Sequence, residues 1–446
     1  MKVFTFKRGG VHPPGHKTLS EHKPISSIEL PDSVGISLNE HLGKPAVPIV
    51  KKGQDVVVGE CIGNPDGFLS AYIHSSVAGK VSKIETGMTA IGTLAEIVTI
   101  DVDKEKTAEG YAAFTNRQPA DFKQMEVSDI LEKIKQASIV GLGGAAFPTN
   151  IKLSPPSDKK IDTLLINGAE CEPYLTADHQ LMLEEPEKLL TGILIIQKVL
   201  NIQNTWIGIE TNKLDAIKKL QLLVDSGKYP GIKLAPLVTK YPQGGEKQLI
   251  SAVTGREVPS GKLPFEVGCV VQNTGTAVAI YEAVCLDKPL IERIITITGF
   301  VKSPGNYRIP IGVPFRYAIE ACAGGFRDDT RVKAVINGGP MMGKTVRSLD
   351  VTTMKGTSGI LVLSDADYRY QDEGPCIRCG RCVDDCPMGL IPTKLATGAE
   401  FKRPADLDSV MDCIECGTCS YVCPTQRQLV HWIRLGKTQF RSIPRS

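Results

Sequence analysis

The chain has 446 residues, 42% of them hydrophobic and 23% charged, which suits a globular protein of about three domains. A net charge of +3 is too small to point to nucleic acid as a partner. Thirteen cysteines behind an N-terminus without an apolar leader argue for a reducing compartment and for metal or redox chemistry rather than disulfides.

Residues 1–29 read as an arm that contains FKRGGVHPPGHK. Residues 30–103 alternate short apolar runs with glycine turns, as in PAVPIVKKGQDVVVGECIG and AYIHSSVAGKVSKIETG. The pair resembles the two halves of a barrel-sandwich, the fold of biotinyl and lipoyl carriers. Lys80 lacks the hairpin-tip surroundings of a carrier lysine, so a structural or docking role is expected there. Residues 104–127 are polar and read as a linker.

The pattern then changes. Ser128 opens SDILEKIKQAS, which reads as a capped amphipathic helix. Next come the glycine loop GLGGAAFPT, a strand at DTLLING and a helix over 184–200. TWIGIET, a helix over 213–224, and the step from GCVVQN into TGTAVAIYEAVC complete an α/β unit over 128–288, expected to be Rossmann-like with a largely parallel sheet. The most apolar run, LLTGILIIQKVL, is about half the length of a membrane span. Residues 289–365 are strand-rich again and fit a β-grasp domain.

Residues 366–446 carry the clearest chemistry. Cys376, Cys379, Cys382 and Cys386 stand before Pro387, and Cys413, Cys416, Cys419 and Cys423 stand before Pro424. Both repeats read C-x2-C-x2-C-x3-C-P, the two-cluster ferredoxin pattern. Three closely spaced thiolates on a tight glycine loop cap three irons of one 4Fe-4S cubane, and the fourth, expected to start a helix, reaches the other cluster. The expected ligand sets are Cys376, Cys379, Cys382 with Cys423, and Cys413, Cys416, Cys419 with Cys386. Zinc, usually held by two C-x2-C pairs, fits this spacing poorly. Cys61, Cys171, Cys269, Cys285 and Cys322 are scattered and read as small buried side chains. From Pro424 on there are five basic residues (Arg427, Arg434, Lys437, Arg441, Arg445) and no acid, a tail suited to an acidic partner or anionic lipid, or simply to solvent.

Four stretches decide what the clusters serve: GLGGAAFP at 141–148, NGAECEP at 167–173, YPQGGE at 241–246 and VQNT at 271–274. Glycine loops allow close backbone approach to a flat or anionic group, and strand ends are where α/β folds place ligands. In this order they resemble the flavin- and NADH-binding subunit of respiratory complex I. Together with FKRGGVHPPGHK and the double cysteine repeat, they resemble the C component of the Rnf complexes, ion-translocating ferredoxin:NAD oxidoreductases.

That resemblance implies an α/β multidomain chain: a barrel-sandwich, an FMN and NAD(H) domain, an SLBB-like β-grasp domain and a C-terminal α-helical ferredoxin domain. It implies two 4Fe-4S clusters and FMN as cofactors, with NAD(H) as substrate. Gly141, Gly143 and Gly144 would pack against FMN, with Lys152 near its phosphate. Asn167 and Asn273 would hydrogen-bond the flavin, and Phe147 would stack on NADH. Glu172 and Glu246 would meet nucleotide hydroxyls, and Glu170, Tyr241 and Gly244 would line the same site. Ala169 and Gly245 depart from the acidic residues of the complex I pattern. No side chain is needed as acid or base, because hydride passes between cofactors. The implied partners are the other Rnf-type subunits, integral membrane ones included, and a ferredoxin-like subunit; the implied place is peripheral, on the cytoplasmic side of the cell membrane. The alternatives are the flavoprotein subunit of a soluble electron-bifurcating dehydrogenase and a flavin-free electron-transfer adaptor.

Overall fold

A computed structural model describes residues 2–367 and 372–442. Residues 368–371 and Arg445 of the basic tail lie outside the described residues.

The N-terminal β unit is a four-stranded sheet (Ser33–Ser37, Asp55–Val56, Gly79–Met88, Leu94–Val102) facing a three-stranded one (Val47–Pro48, Cys61–Asn64, Ile73–His74). Lys80 lies in the Gly79–Met88 strand and pairs with Asp55 at 3.3 Å, far from any hairpin tip. The C-terminal β unit is a six-stranded sheet to which the arm contributes Ile25–Ser27, alongside Gly305–Pro310. The two β units share one core. Val34, Ile36, Val98 and Ile100 pack in the same cluster as Ile295, Phe315 and Ile360.

The stretch read as a linker is partly helical. Lys104–Thr115 forms a helix whose N-cap Asp103 accepts from Lys106 N. Its polarity is that of a helix lying on the surface, with Thr107 as its buried residue. The helix expected to be capped at Ser128 runs Val127–Gln136 from Glu126, without a side-chain cap. The helix expected over 184–200 runs Pro186–Leu200, opened by Pro186, and a shorter helix that was not expected, Ala177–Glu184, precedes it.

The central unit is the Rossmann-like part. Its elements are β1 (Thr163–Asn167), α1 (Ala177–Glu184), α2 (Pro186–Leu200), β2 (Thr205–Glu210), α3 (Leu214–Asp225), β3 (Ile232–Leu237), α4 (Glu246–Thr254), β4 (Cys269–Asn273) and α5 (Thr274–Leu286). All four strands are parallel, in the order β3-β2-β1-β4. Leu164, Leu165 and Ile166 are fully buried between helices on both faces, as a central parallel strand requires. The chain moves outward from β1 to β3 and then returns to the other side of β1. The switch point, where such sheets open a crevice beyond the strand ends, therefore lies between β1 and β4.

The cysteine repeats fold into a small helical unit around Leu395, Leu407, Val410, Leu429 and Ile433. The fourth cysteines do not start helices. Pro392–Glu400 and Leu429–Ser442 begin several residues after them. Three of the five basic tail residues turn inward. Arg427 pairs with Glu373 and Glu400, and Arg434 and Lys437 both pair with Glu415. Of the five scattered cysteines, Cys269 and Cys285 are buried and Cys61, Cys171 and Cys322 are half-buried.

Candidate functional site

The switch point carries two of the expected residues. Asn167 ends β1, Asn273 ends β4, and the two are register partners. Both amides are engaged within the protein. Asn167 Nδ2 donates to Gly244 O at 2.7 Å, and its Oδ1 accepts from Ala169 N. Asn273 Oδ1 caps α5 by accepting from Gly275 N and Thr276 N, while Nδ2 donates to Asp178 at 2.7 Å. Burial and the nearby Glu170 push the Asp178 carboxyl up to about 6. These asparagines fix the loops around the crevice.

The glycine loop stands above β4. A Cβ on Gly143 would meet the Asn273 side chain at 3.1 Å, while Gly144 faces open space. Gly143, Gly144 and Ala145 are exposed, so the loop offers bare backbone to the solvent side of the crevice. Phe147 is half-buried beside it. Lys152, at the end of the short helix that follows, forms an ion pair with Glu246 at 2.6 Å, both only partly buried. A flat anionic ligand fits this set: a glycine floor without side chains, and an ammonium beside it paired with a partly exposed carboxylate.

The NGAECEP loop joins units. Glu170, in left-handed backbone (φ 44), accepts the first N–H groups of α1 from Asp178 and His179. Glu172 accepts from Met341 N at 3.1 Å and Met342 N at 2.7 Å, which ties the loop to the C-terminal β unit. Burial pushes its carboxyl up to about 7. Cys171 Sγ accepts from Gly244 N, which brings this loop against the 241–245 turn.

That turn reaches the cysteines. Tyr241, expected at the nucleotide, is buried and donates its hydroxyl to Cys416 O at 2.7 Å. Val11, Tyr241, Cys416 and Cys171 belong to one apolar cluster. The crevice and one cysteine set are thus contiguous.

The eight cysteines fall into two groups. The thiols acting electrostatically on Cys382 are Cys423, Cys376 and Cys379. Those acting on Cys419 are Cys413, Cys416 and Cys386. A cavity is lined by Cys386, Cys413, Cys416 and Cys419, closed by Ile414, Val430 and Ile433. Burial raises the Cys419 thiol and lifts Cys413 to about 11, so a bound cationic centre must supply the drive to deprotonate them. Among the described residues no three Cys, His, Asp or Glu side chains converge tightly enough to chelate a single ion. The two repeats also match atom for atom. Arg378 N and Glu415 N donate to Cys376 and Cys413, and Leu390 N and Arg427 N to Cys386 and Cys423.

Family models match the whole succession: an RnfC barrel-sandwich hybrid domain over 4–105, a Nuo51 FMN-binding domain over 134–282, an SLBB domain over 294–345 and a 4Fe-4S dicluster domain over 375–427. The chain is 44% identical over 440 residues to the C component of the proton-translocating ferredoxin:NAD(+) oxidoreductase complex of Clostridium ljungdahlii, covering 98% of this chain and 94% of that one. The chain belongs to the RnfC family, the C components of ion-translocating ferredoxin:NAD(+) oxidoreductase complexes. It is also 43% identical to the C component of the Na(+)-translocating complex of Acetobacterium woodii, with 98% of each chain covered. The C component of the ion-translocating oxidoreductase complex of Yersinia pseudotuberculosis is 41% identical over 88% of this chain and 55% of that longer protein. In fold, a crystal structure of NAD+-reducing [NiFe]-hydrogenase in the H2-reduced state superposes with a TM-score of 0.52 at 19% identity, covering 74% of this chain and 65% of that one. The family's oxidoreductase character, its FMN-binding domain and its paired 4Fe-4S domain agree with the chemistry read from the motifs.

Sequence reasoning missed four residues around this site: Lys17 and Lys213, which donate to carbonyls of the 167–176 loop, Asp178, which accepts from Asn273, and Arg293, which donates to Leu142 O in the glycine loop. Each acts on backbone carbonyls or on a distant side chain, contacts for which the local sequence has no signature. Lys17 closes HPPGHK and Lys213 stands at the start of the expected 213–224 helix, but neither carries a local sign of its contacts.

Proposed function

We propose that this chain is the NAD(H)-binding flavin and iron–sulfur subunit of an ion-translocating ferredoxin:NAD oxidoreductase. Flavin chemistry links the two-electron hydride of NAD(H) to the one-electron steps of the clusters. The chain's own work is holding and spacing. Gly141, Gly143 and Gly144 would form the floor under FMN, and Lys152, paired with Glu246 at 2.6 Å, would serve its phosphate. Glu170, Glu172 and Glu246 border the nucleotide side, with Phe147 as the stacking ring. Cys386, Cys413, Cys416 and Cys419 hold the inner cluster, and Cys376, Cys379, Cys382 and Cys423 the outer one. The observation that carries this reading is the Tyr241–Cys416 contact, which sets the crevice directly against one thiolate set.

No helix among the described residues is long and apolar enough to cross a membrane. Ion movement then belongs to partner subunits. In this reading the chain sits peripherally on the cytoplasmic side, passing electrons to or from integral membrane subunits and a ferredoxin-like subunit. The soluble-dehydrogenase and adaptor alternatives are separated from this reading by one preparation. Chain isolated anaerobically from membranes is expected to carry a flavin absorption band near ~450 nm that NADH bleaches. Chain with clusters and no capacity for flavin excludes both flavoenzyme readings, and recovery without membrane subunits excludes the translocase.

A further inference from the structure

The loop 167–176 is held from behind by two buried ammonium groups. Lys17, from the N-terminal arm, donates to Glu170 O at 2.9 Å, to Glu172 O at 3.0 Å and to Leu175 O. Lys213, from the start of α3, donates to Ala169 O at 2.7 Å and lies 3.7 Å from Glu210. Both lysines are buried, at 7% and 1% exposure, in a region where charged side chains are rarely found. Four carbonyls of one short loop are therefore turned toward two cations.

The loop needs such a hold. Glu170 (φ 44) and Tyr174 (φ 70) are in left-handed backbone, which non-glycine residues keep only when their surroundings enforce it. The arm supplies the enforcement on both sides of Lys17. Gly15 O accepts from Tyr174 N, the His16 ring stacks on Tyr174 at 4.5 Å, and Ser20 bonds Thr176 at 2.7 Å. Fixing a carbonyl fixes the next N–H on the opposite side of the planar peptide. The N–H groups of Glu170 and Cys171 follow gripped carbonyls and take no protein partner among the described residues. On its other side the loop meets Gly244 and Asn167, the turn and strand end of the crevice.

We propose that Lys17 is a positioning residue of the flavin and nucleotide site. With Lys213 it sets the peptide planes of 169–175, so that the N–H groups of Glu170 and Cys171 are presented to a ligand's acceptor atoms. The N-terminal arm is then part of the site and not only a strap between domains. This inference rests on the reading above that the crevice holds FMN.

The test compares full-length Lys17→Met and Ser20→Ala chains with the unaltered one. Ser20→Ala weakens the same arm through its bond to Thr176 and leaves the gripped carbonyls alone. FMN is titrated by quenching of its fluorescence, and alkylation of Cys171 in flavin-free chain is followed by peptide mass. Lys17→Met is expected to raise the FMN dissociation constant on the order of tenfold and to speed Cys171 alkylation, while Ser20→Ala stays within about twofold on both. Equal effects in the two variants, or no effect of Lys17→Met, overturn the proposal. If Lys17→Met does not fold, Lys17→Gln, which keeps an N–H donor without the charge, is judged by the same criteria. An unaltered chain that takes no FMN overturns the earlier reading instead, and the flavin-independent alkylation rate still decides whether Lys17 sets the loop.

Discussion

The Glu172 carboxylate accepts two backbone N–H groups, yet burial outweighs them and holds its pKa up to about 7, against 4.5 for a free glutamate. A carboxyl whose folded pKa is raised binds its proton more tightly in the folded chain than in the unfolded one. Its contribution therefore favours folding at low pH and is lost as pH rises from about 4.5 through about 7. The Glu172→Gln variant keeps an acceptor for one N–H and removes the titration. Its unfolding temperature, followed from about pH 5 to about pH 7.5, is expected to fall less steeply than that of the unaltered chain. Identical slopes would mean that Glu172 titrates like an exposed glutamate. This residue also marks a boundary of what a sequence reveals. NGAECEP announces a ligand loop, but a pairing with Met341 and Met342, about 170 positions away, has no local signal.

At the scale of the elements, the crevice is built by strand ends whose last residues double as caps. Asn273 closes β4, caps α5 and hydrogen-bonds Asp178. Replacing Asn273 with Ala removes the cap and is expected to cost about 1 kcal/mol in stability. Asn273→Asp keeps the capping oxygen but sets a carboxylate against Asp178, whose pKa burial already holds up at about 6. It is expected to be the more harmful change at neutral pH and to recover toward about pH 5, where Asp178 takes a proton. Thermal unfolding of both variants at the two pH values checks this, and a pH-independent Asn273→Asp penalty would remove Asp178 from the account. The strand-to-helix steps around this site were legible because period and turn chemistry are local properties. Lys104–Thr115 was not, since a helix lying on the surface shows little apolar periodicity.

Across the whole molecule, the arm and the 241–245 turn decide which thiolates face inward. Phe4 bridges to Leu237 beside β3, Gly10 N donates to Asp385 O in the first repeat, Val11 pairs with Tyr241, and Lys17 grips the loop beyond. The doubled C-x2-C-x2-C-x3-C-P pattern led to the expectation of crossed ligand sets, three neighbouring thiolates with the fourth lent by the other repeat. Which set lies next to the crevice was not legible, because that depends on how separate units dock. Cys386, Cys416 and Cys419 are buried and the Tyr241 hydroxyl is bonded to Cys416 O. Cys376 and Cys379 are exposed, with Ile377 between them 62% exposed, so the other set faces outward. In the proposed reading, the inner set, which Tyr241 joins to the crevice, is the first stop for electrons. Serine at Cys413 is then expected to block NADH-driven reduction of both sets while leaving flavin bleaching intact. Serine at Cys423 is expected to spare reduction of the inner set and to abolish transfer to an external acceptor. Low-temperature paramagnetic resonance after anaerobic NADH addition distinguishes the two variants. Loss of the inner signal in Cys423→Ser, with the outer signal retained, would reverse the order or break the crossed assignment. Retention of the outer signal in Cys413→Ser would show a route that bypasses the inner set.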